Sequence, residues 1–422
     1  MLPAIGRRPI LTVTARPGQR SETIRRANLS AIVRELHLRG PMSRSDLVEH
    51  TGLTRSGIRA VLNDLVSYDL AHEERATSQG APGRPSPLVR PHAAGATVLA
   101  LEIAVDSLAV ALVGLGGEIV DSIRVDRSWG RFSLEETVAD LVDLTRQVQA
   151  RRGTHDALVG IGVSIVAIVR RSDGFVRLAP NLGWRDVALG ERLREGLQTR
   201  LPISVANDAD LGALAEQRRG AAIGANHVLY IAGEVGVGGG LIVDGHPLTG
   251  VAGYGGEVGH FPVNPAGGVC RCGSVGCWET EVGESALLVR AGRQPDGGRA
   301  AVDAVLRDAS AGSPVALNAL SNVGRWLGVG LAGLVNVLNP ELVVLGGLFG
   351  RIHPYAGDAL RAELERLTLE ASRELVRIVP ATLGVDASLL GAAELAFEPL
   401  LSDPAAWAPG RALGERPAGA SA

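Results

Sequence analysis

Residues 256–279 read GEVGHFPVNPAGGVCRCGSVGCWE, and this stretch holds every cysteine of the chain. Cys270, Cys272 and Cys277 fall within eight residues, and His260 precedes the first of them by ten residues. Three thiolates and one imidazole make a closed tetrahedral Zn²⁺ ligand set with no position left for water, which predicts a structural zinc ion rather than a hydrolytic one. The alternative, three incidental reduced thiols, is disfavoured by their clustering.

Side chains suited to a polyol lie in the same stretch and upstream of it. They are Asn207-Asp208, Glu257, Glu279 and His260 itself. Carboxylates and amides suit sugars because each hydroxyl both donates and accepts a hydrogen bond. His260 can ligate the metal with one ring nitrogen and donate to a hydroxyl with the other, which would fix its tautomer. Taken alone each residue is ordinary, and Asp208 has the alternative role of capping a helix that starts at Ala209.

Length and composition indicate a globular chain of two or three domains. The chain has 422 residues, of which 46% are apolar and 21% charged, and a domain takes roughly 150 residues. The sequence contains no uninterrupted apolar stretch of about 18 residues and no apolar core of a signal peptide. An odd number of cysteines excludes a disulfide framework and fits a reducing compartment. These features predict a soluble cytoplasmic protein with no membrane partner.

Charge is unevenly distributed along the chain. All 42 basic residues are arginine; residues 1–92 carry 14 of them against 8 acidic residues, and the remainder carries 28 against 37. A basic head on an acidic body suggests that only the head meets a polyanion. With 5 Trp, 4 Tyr and 5 Phe in the whole chain, a stacking platform for single-stranded nucleic acid is disfavoured.

The head, residues 21–92, is predicted to be a winged helix-turn-helix. A helical period runs from Ser21 to Arg39 and stops at Gly40-Pro41. Ser43 with Asp46 is a capping-box signal for a short second helix. Thr51-Gly52-Leu53 forms a tight turn before a third helix capped by Thr54. Two strands around the Gly/Pro-rich residues 83–87 complete a wing.

The predicted DNA contacts lie at the starts of the second and third helices and in the wing. Side chains near the start of a recognition helix reach base edges, and others hold phosphates. A helix N-terminus helps to bind a phosphate, and an arginine held by the wing loop can enter the minor groove. A small interaction module with solvated arginines is the alternative. The predicted contact residues are Ser43, Arg44, Thr54, Arg55, Ser56, Arg59 and Arg84.

The body, residues 93–401, has the alternating pattern of an α/β fold with a mixed sheet. The predicted strands and helices of its first half are strands 98–105, 108–115, 118–125, 158–169 and 203–206, and helices 134–149 and 189–201. A similar run restarts at strands 227–232 and 240–243, and a long helix at 323–338 precedes a strand at 342–345. The restart predicts two related subdomains with a cleft between them. Residues 1–20 are predicted to be a flexible arm and residues 402–422 a disordered tail.

Four motifs in order give the body a family resemblance: Asn207-Asp208-Ala209, Gly233–Gly240, Gly256–His260 and Cys270–Glu279. With the winged head in front, the chain resembles the transcriptional repressors of the ROK family (repressors, open reading frames and sugar kinases) over most of residues 21–400. The resemblance implies a two-lobed, actin-like (ribonuclease-H-like) ATPase fold. It implies a zinc ion on His260, Cys270, Cys272 and Cys277. It also implies a sugar held by Asn207, Asp208, Glu257, His260 and Glu279, and a further sugar-lining loop, Pro180–Trp184, that contains Asn181.

The nucleotide half departs from the pattern of the family's kinases, in which the residue matching Asp208 is the general base. Their phosphate turn, Asp-x-Gly-Gly-Thr, is replaced by Glu102-Ile103-Ala104-Val105-Asp106, and a second turn, Gly-Thr-Gly, by Gly233-Glu234-Val235. The lost glycines and the β-branched Val105 prevent a close backbone approach to phosphates. Each like-charge contact at about 4 Å would cost a triphosphate about 1–4 kcal/mol. Gly346-Gly347 keeps part of the adenosine-side pattern as inherited geometry.

These observations predict a sugar-responsive repressor without catalytic residues, in which Asp208 keeps only the position of a general base. The expected partners are double-stranded operator DNA and a monosaccharide effector. A small head makes few contacts, so a palindromic operator bound by a homodimer or homotetramer is expected. Two alternatives stay open: an ATP-dependent sugar kinase with a DNA-binding head, and a repressor controlled by a protein partner.

Overall fold

A computed structural model describes residues 17–74, 87–127, 132–152 and 157–407. The chain divides into two compact units, one formed by Met1–His92 with Pro399–Ala422 and the other by Ala93–Glu398. In the described ranges, no helix is long and apolar enough to cross a membrane.

The first unit is built from three helices and a small antiparallel sheet. Its elements are α1 (Pro17–Arg39), β1 (Met42–Ser43), α2 (Arg44–Thr51), α3 (Arg55–Ser67), β2 (Ala71–Glu74) and β3 (Leu88–Pro91), with strand order β1-β3-β2. The capping box of Ser43 and Asp46 forms as predicted, and Thr54 caps α3 by accepting from the Gly57 N–H at 3.1 Å. Gly52, at φ 68°, ends α2 in the left-handed region, where a Cβ would be strained.

The boundaries of this unit differ from the sequence prediction at both ends. Helix α1 begins at Pro17, so the last four residues of the predicted arm are helical, and residues 1–16 lie outside the described residues. At the other end, Pro404–Trp407 forms a 3-10 helix that packs on α1. Ser30 donates to the Leu401 carbonyl at 2.7 Å, and Arg26 pairs with Asp403 at 3.1 Å. Residues 408–422 of the predicted tail lie outside the described residues.

The second unit contains two five-stranded mixed sheets, and its first half carries one of them. The elements of the first half are β4 (Thr97–Ile103), β5 (Ser107–Gly114), β6 (Ile119–Asp126), α4 (Leu134–Arg152), β7 (Leu158–Ile165), β8 (Ile168–Arg170), β9 (Phe175–Ala179), β10 (Trp184–Val187), α5 (Leu189–Gly196) and β11 (Ile203–Asn207). The main sheet has the order β11-β7-β4-β5-β6, and β8, β9 and β10 form a small antiparallel sheet beside it.

The second half repeats this design. Its elements are α6 (Asp208–Arg219), β12 (Val228–Gly233), β13 (Val237–Val243), β14 (His246–Pro247), α7 (Glu279–Val282), α8 (Glu284–Arg290), α9 (Gly298–Ser310), α10 (Pro314–Leu338), β15 (Leu342–Gly346), α11 (Gly347–Leu367), α12 (Glu370–Leu375), β16 (Arg377–Pro380) and α13 (Ala387–Ser402), with short 3-10 helices at Val251–Gly253, Val258–His260 and Gly384–Asp386. The sheet order is β14-β13-β12-β15-β16.

Both sheets share one topology, which confirms the prediction of two related subdomains. In each, three consecutive strands form an antiparallel meander, and two later strands add in parallel beside the first strand of the meander. The duplicated mixed sheet is the actin-like fold expected from the sequence. Each half has its own apolar core, one around β4, β5 and β7 and one around α10 and α11.

Candidate functional site

A cleft of about 590 Å³ lies in the second unit, at the carboxyl ends of strands from both sheets. Ile103, Asn207, Leu345 and Pro380, which line it, end or nearly end strands β4, β11, β15 and β16. Crevices outside the carboxyl ends of parallel strands are the usual ligand sites of open α/β sheets. All six residues predicted to bind sugar line this cleft: Asn181, Asn207, Asp208, Glu257, His260 and Glu279. We call their part of the cleft the sugar end.

Asn207, not Asp208, caps helix α6. Its Oδ1 accepts from the backbone N–H groups of Ala209 at 2.8 Å and Asp210 at 3.3 Å, and its Nδ2 donates to the Ala167 carbonyl at 3.2 Å. The alternative considered for Asp208 is therefore wrong, because the cap belongs to its neighbour. Because the oxygen and the nitrogen of its side chain are both engaged, Asn207 mainly fixes where helix α6, and with it Asp208, begins.

Burial raises the pKa of two sugar-end carboxyl groups towards neutrality. The pKa of Asp208 is raised to about 7, mainly by desolvation and further by the charges of Glu234 and Glu102. The pKa of Glu257 is also raised to about 7, by desolvation and by nearby Asp210 and Glu279. A carboxyl group poised near neutral pH can accept a proton from a hydroxyl or donate a hydrogen bond to one.

The four predicted metal ligands converge in one cluster. One ligand atom from each of His260, Cys270, Cys272 and Cys277 lies within 4.8 Å of the others. The Sγ atoms of Cys272 and Cys277 are 3.7 Å apart, and Cys270 Sγ is 3.7 Å from His260 Nδ1. Metal–sulfur bonds of about 2.3 Å in a tetrahedron place two sulfurs about 3.8 Å apart, so the donor set fits a tetrahedral ion.

The metal cluster and the sugar end share side chains. His260 Nε2 faces Glu257 at 3.9 Å while its Nδ1 faces the cysteines, so one ring nitrogen is turned towards each group. Cys270 Sγ lies 2.8 Å from Glu279 Oε1. The conformation of the cysteine loop therefore helps to set the positions of His260 and Glu279 at the sugar end.

Trp278 anchors the loop to the core between the last cysteine and Glu279. It is fully buried, and its Nε1 donates to the Trp326 carbonyl of α10 at 2.9 Å. Gly330 of the same helix faces the indole so closely that a Cβ there would lie 2.1 Å from a ring carbon. Because Gly330 has no side chain, the indole can pack directly against α10. The packed indole fixes the direction in which the next residue, Glu279, leaves the loop.

Arg271, which the sequence analysis missed, also lines the sugar end. Its Nη1 donates to Asn181 Oδ1 at 2.7 Å, and so it joins the cysteine loop to the segment between β9 and β10. This bond joins the two halves of the second unit at the sugar end. The position of Arg271 between two cysteines was visible in the sequence, but its partner 90 residues away was not.

The two altered phosphate turns meet in the other half of the cleft. We call this region the distal half and define it by Glu102, Asp106, Glu234, Glu284 and Arg299, all of which line the cleft. The Asp106 carboxylate and the Glu234 carboxylate lie on either side of the Arg299 guanidinium, at 3.2 and 3.5 Å. Negative charge at both turns is present as predicted, but Arg299 of α9 partly neutralises it.

Two further carboxylates of the distal half differ in how they are satisfied. Glu102 is 8% exposed and accepts from Arg124 and from the Ser388 hydroxyl. Glu284, at the start of α8, is 6% exposed, and its Oε1 has no hydrogen-bond partner within the part of the chain that the structure describes. Burial raises the pKa of Glu284, and the nearby charges of Glu234 and Asp106 raise it further.

The candidate DNA-binding face of the first unit lies on α3. Arg55, Ser56 and Arg59 are exposed, whereas Ile58 and Val61 are buried. Among the described residues neither Arg55 nor Arg59 forms a hydrogen bond or an ion pair. These two guanidinium groups are therefore available to base edges or phosphates.

Four other predicted DNA contacts have different surroundings. Arg44, predicted to donate to a phosphate, makes a bidentate ion pair with Glu73 of β2, with distances of 2.6 and 2.8 Å, so its guanidinium is already engaged. Ser43 and Thr54 use their hydroxyls as helix caps, and Thr54 also lies 3.1 Å from the Ser56 hydroxyl. Arg84 lies outside the described residues.

Comparison with known proteins matches residues 98–398 to the model of the ROK family. A xylose repressor from Bacillus spizizenii is 29% identical over 381 residues, which cover 90% of this chain and 97% of that protein. A glucokinase from Halalkalibacterium halodurans is 33% identical over 305 residues, or 68% of this chain and 90% of that protein. The crystal structure of a ROK family transcriptional regulator, a homologue of the E. coli MLC protein, superposes with a TM-score of 0.72 at 25% identity and covers 91% of this chain and 97% of that one.

Proposed function

The chain belongs to the ROK family, and from this premise we propose that it is a sugar-responsive transcriptional repressor. One observation carries the proposal: the similarity to the xylose repressor and to the regulator structure covers 90% and 91% of this chain, and so takes in the head. The similarity to the glucokinase covers 68%. The repressor relatives therefore account for the winged unit as well as the cleft.

DNA recognition is assigned to the exposed face of α3. Arg55, Ser56 and Arg59 project from the first turns of the helix that follows the Gly52 turn, where a recognition helix presents its side chains to the major groove. Ser43 and Thr54 would contribute chiefly by fixing the starts of α2 and α3. A palindromic operator bound by a homodimer in the cytoplasm is the expected arrangement, because half-sites mirror a two-fold axis.

Sugar binding is assigned to the sugar end. Asp208, Glu257 and Glu279 would accept from hydroxyl groups, and the His260 Nε2 side and Asn181 would complete the set. A bound sugar changes operator affinity only if it binds two arrangements of the lobes with different affinity. The proposed response is therefore a shift in lobe closure within the second unit.

The cysteine cluster is assigned to Zn²⁺, held by His260, Cys270, Cys272 and Cys277. The donor set of three sulfurs and one nitrogen favours zinc, and with four protein ligands the ion would serve as a structural cross-link. In this role the cluster orders the loop between His260 and Trp278. It thereby holds His260 and Glu279 at the wall of the cleft.

The decisive experiment measures operator affinity with and without sugar. Operator sequences are selected from random duplexes with the full-length, zinc-loaded protein, and sugars that bind are identified by calorimetry. We expect at least one of these sugars to change operator affinity tenfold or more. If every sugar that measurably binds leaves operator affinity unchanged, the proposed function is wrong.

A second candidate function, sugar phosphorylation, is favoured by one observation. Asp208 stands at the general-base position of the family's kinases, and its pKa of about 7 suits that role. Against it, two carboxylates and Val105 occupy the turns that should approach a triphosphate. An ADP-release assay with a panel of sugars separates the two functions: turnover that Asp208→Asn abolishes would establish the kinase.

A further inference from the structure

We propose that the effector is a neutral oligosaccharide, with one ring at the sugar end and the next ring in the distal half of the cleft. The proposal rests on the proposed function and assigns a second saccharide subsite to residues where a nucleotide's phosphates would lie. The cleft is continuous from Glu257 and His260 to Glu284 and Arg299, with a volume of about 590 Å³. Cavities of about 300–1,000 Å³ suit drug-sized ligands, so a single sugar ring would leave much of this one unfilled.

Glu284 is the observation that points to a ligand. A buried carboxylate oxygen without a hydrogen-bond donor is costly, and native structures rarely leave one unsatisfied. Glu284 is 94% buried, lines the cleft and leaves Oε1 without a partner. A hydroxyl group entering the distal half would supply the missing donor.

The neighbouring groups favour a polyol over an anion or a metal ion. Asp106 and Glu234 would repel a phosphate, and each keeps lone pairs beyond the one that contacts Arg299. Arg299 supplies N–H donors for hydroxyl or glycosidic oxygens and would repel a cation. Across the described ranges, the His260–cysteine cluster is the only group of three or more metal-type side chains that converges, so these carboxylates are too dispersed to hold an ion.

Apolar side chains complete the wall of the distal half. Val105 lies between Glu102 and Asp106, and Val302 and Leu348 line the same region. A sugar ring presents C–H faces between its hydroxyls, and these faces need such surfaces. The substitutions that disfavour a triphosphate are therefore the ones that suit a second ring.

The test compares monosaccharides with their disaccharides on the full-length, zinc-loaded protein. Calorimetry is run with glucose, cellobiose and maltose, and with xylose and xylobiose. We expect at least one disaccharide to bind ten times more tightly than its monosaccharide, or more. If no disaccharide gains over its monosaccharide, the second subsite is refuted.

Variants locate the gain in the distal half. Glu284→Gln keeps the shape of the side chain but removes its charge, and Arg299→Ala removes the donor from a half-exposed position that can be changed without harm to the core. Each should reduce the ratio of disaccharide to monosaccharide affinity about tenfold. Asp358→Asn, on the exposed face of α11, is the matched control and should leave the ratio unchanged. If both distal variants keep the wild-type ratio of disaccharide to monosaccharide affinity, the proposal is contradicted.

The outcomes separate this proposal from the proposed function. If a monosaccharide alters operator affinity but no disaccharide binds more tightly than its monosaccharide, the second subsite is refuted and the proposed repressor function stands. If no saccharide that binds alters operator affinity, the proposed function is refuted. The non-hydrolysable nucleotide AMPPNP, tested in competition, should not displace the disaccharide, and displacement would show that the distal half still takes a triphosphate.

Discussion

Replacing Asn207 with alanine tests whether this residue positions Asp208 or contacts the sugar itself. The change removes the two bonds that Oδ1 accepts at the start of α6 and the bond that Nδ2 donates to Ala167. Loss of an N-cap costs about 1 kcal/mol, and a carbonyl left without its donor costs about 1 kcal/mol more. We expect the free energy of unfolding to fall by about 2 kcal/mol, and sugar affinity to fall because Asp208 is less well placed.

Asn207→Ser is the matched variant. A serine hydroxyl caps a helix about as well as an amide oxygen, but it cannot also donate to Ala167. Thermal denaturation and calorimetry with a sugar that binds the wild-type protein should show about half of the lost stability regained and most of the lost affinity regained. If serine regains stability but binds sugar as weakly as alanine, Asn207 contacts the sugar and the positioning argument is refuted.

Three further predictions concern the metal, the acid groups and the head. Atomic emission should find one zinc per chain, abolished by Cys277→Ser, and a strong chelator should lower Tm; an unchanged Tm would contradict a structural role. In the folded protein the pKa of Asp208 and of Glu257 is about 7, which lies above the value in the unfolded chain. The stability that these two groups confer is therefore complete below about pH 4 and is lost as the pH rises through about 7. The decline in Tm from pH 5 to 8 should be smaller in Asp208→Asn. Arg55→Ala and Arg59→Ala should each weaken operator binding about tenfold, whereas Arg44→Ala should have a smaller effect because Arg44 is paired with Glu73; an equal loss would show that this ion pair opens on DNA.

Local signals account for the features that could be predicted from the sequence. The caps at Ser43 and Thr54 act over three residues, and the four side chains that converge in the cysteine cluster lie within 18 residues, so short-range patterns suffice for both. The family and the fold class are confirmed for the same reason, since the motifs that carry them are contiguous. Helix α10 starts at Pro314, behind a Ser313 cap and nine residues before the predicted start.

Contacts between residues far apart in the chain account for the features that could not be predicted from the sequence. The strand predicted over 158–169 is two strands, because the Val166 N–H turns to the Ile103 carbonyl and the Ala167 carbonyl accepts from Asn207. Arg299 meets Asp106 and Glu234 from a helix far along the chain, and nothing in its own neighbourhood marks it. The charge balance between these two carboxylates and Arg299 depends on how the two lobes fold together, so the sequence alone does not reveal it.

Convergence of all three cysteines in one cluster has a practical side for spectroscopy. Maleimide dyes would react with the thiols of this cluster, one of which contacts Glu279 in the cleft, so labelling would perturb the site under study. Amine-reactive dyes have no side chain to attack, because the sequence contains no lysine. For fluorescence anisotropy, the fluorophore therefore belongs on the oligonucleotide.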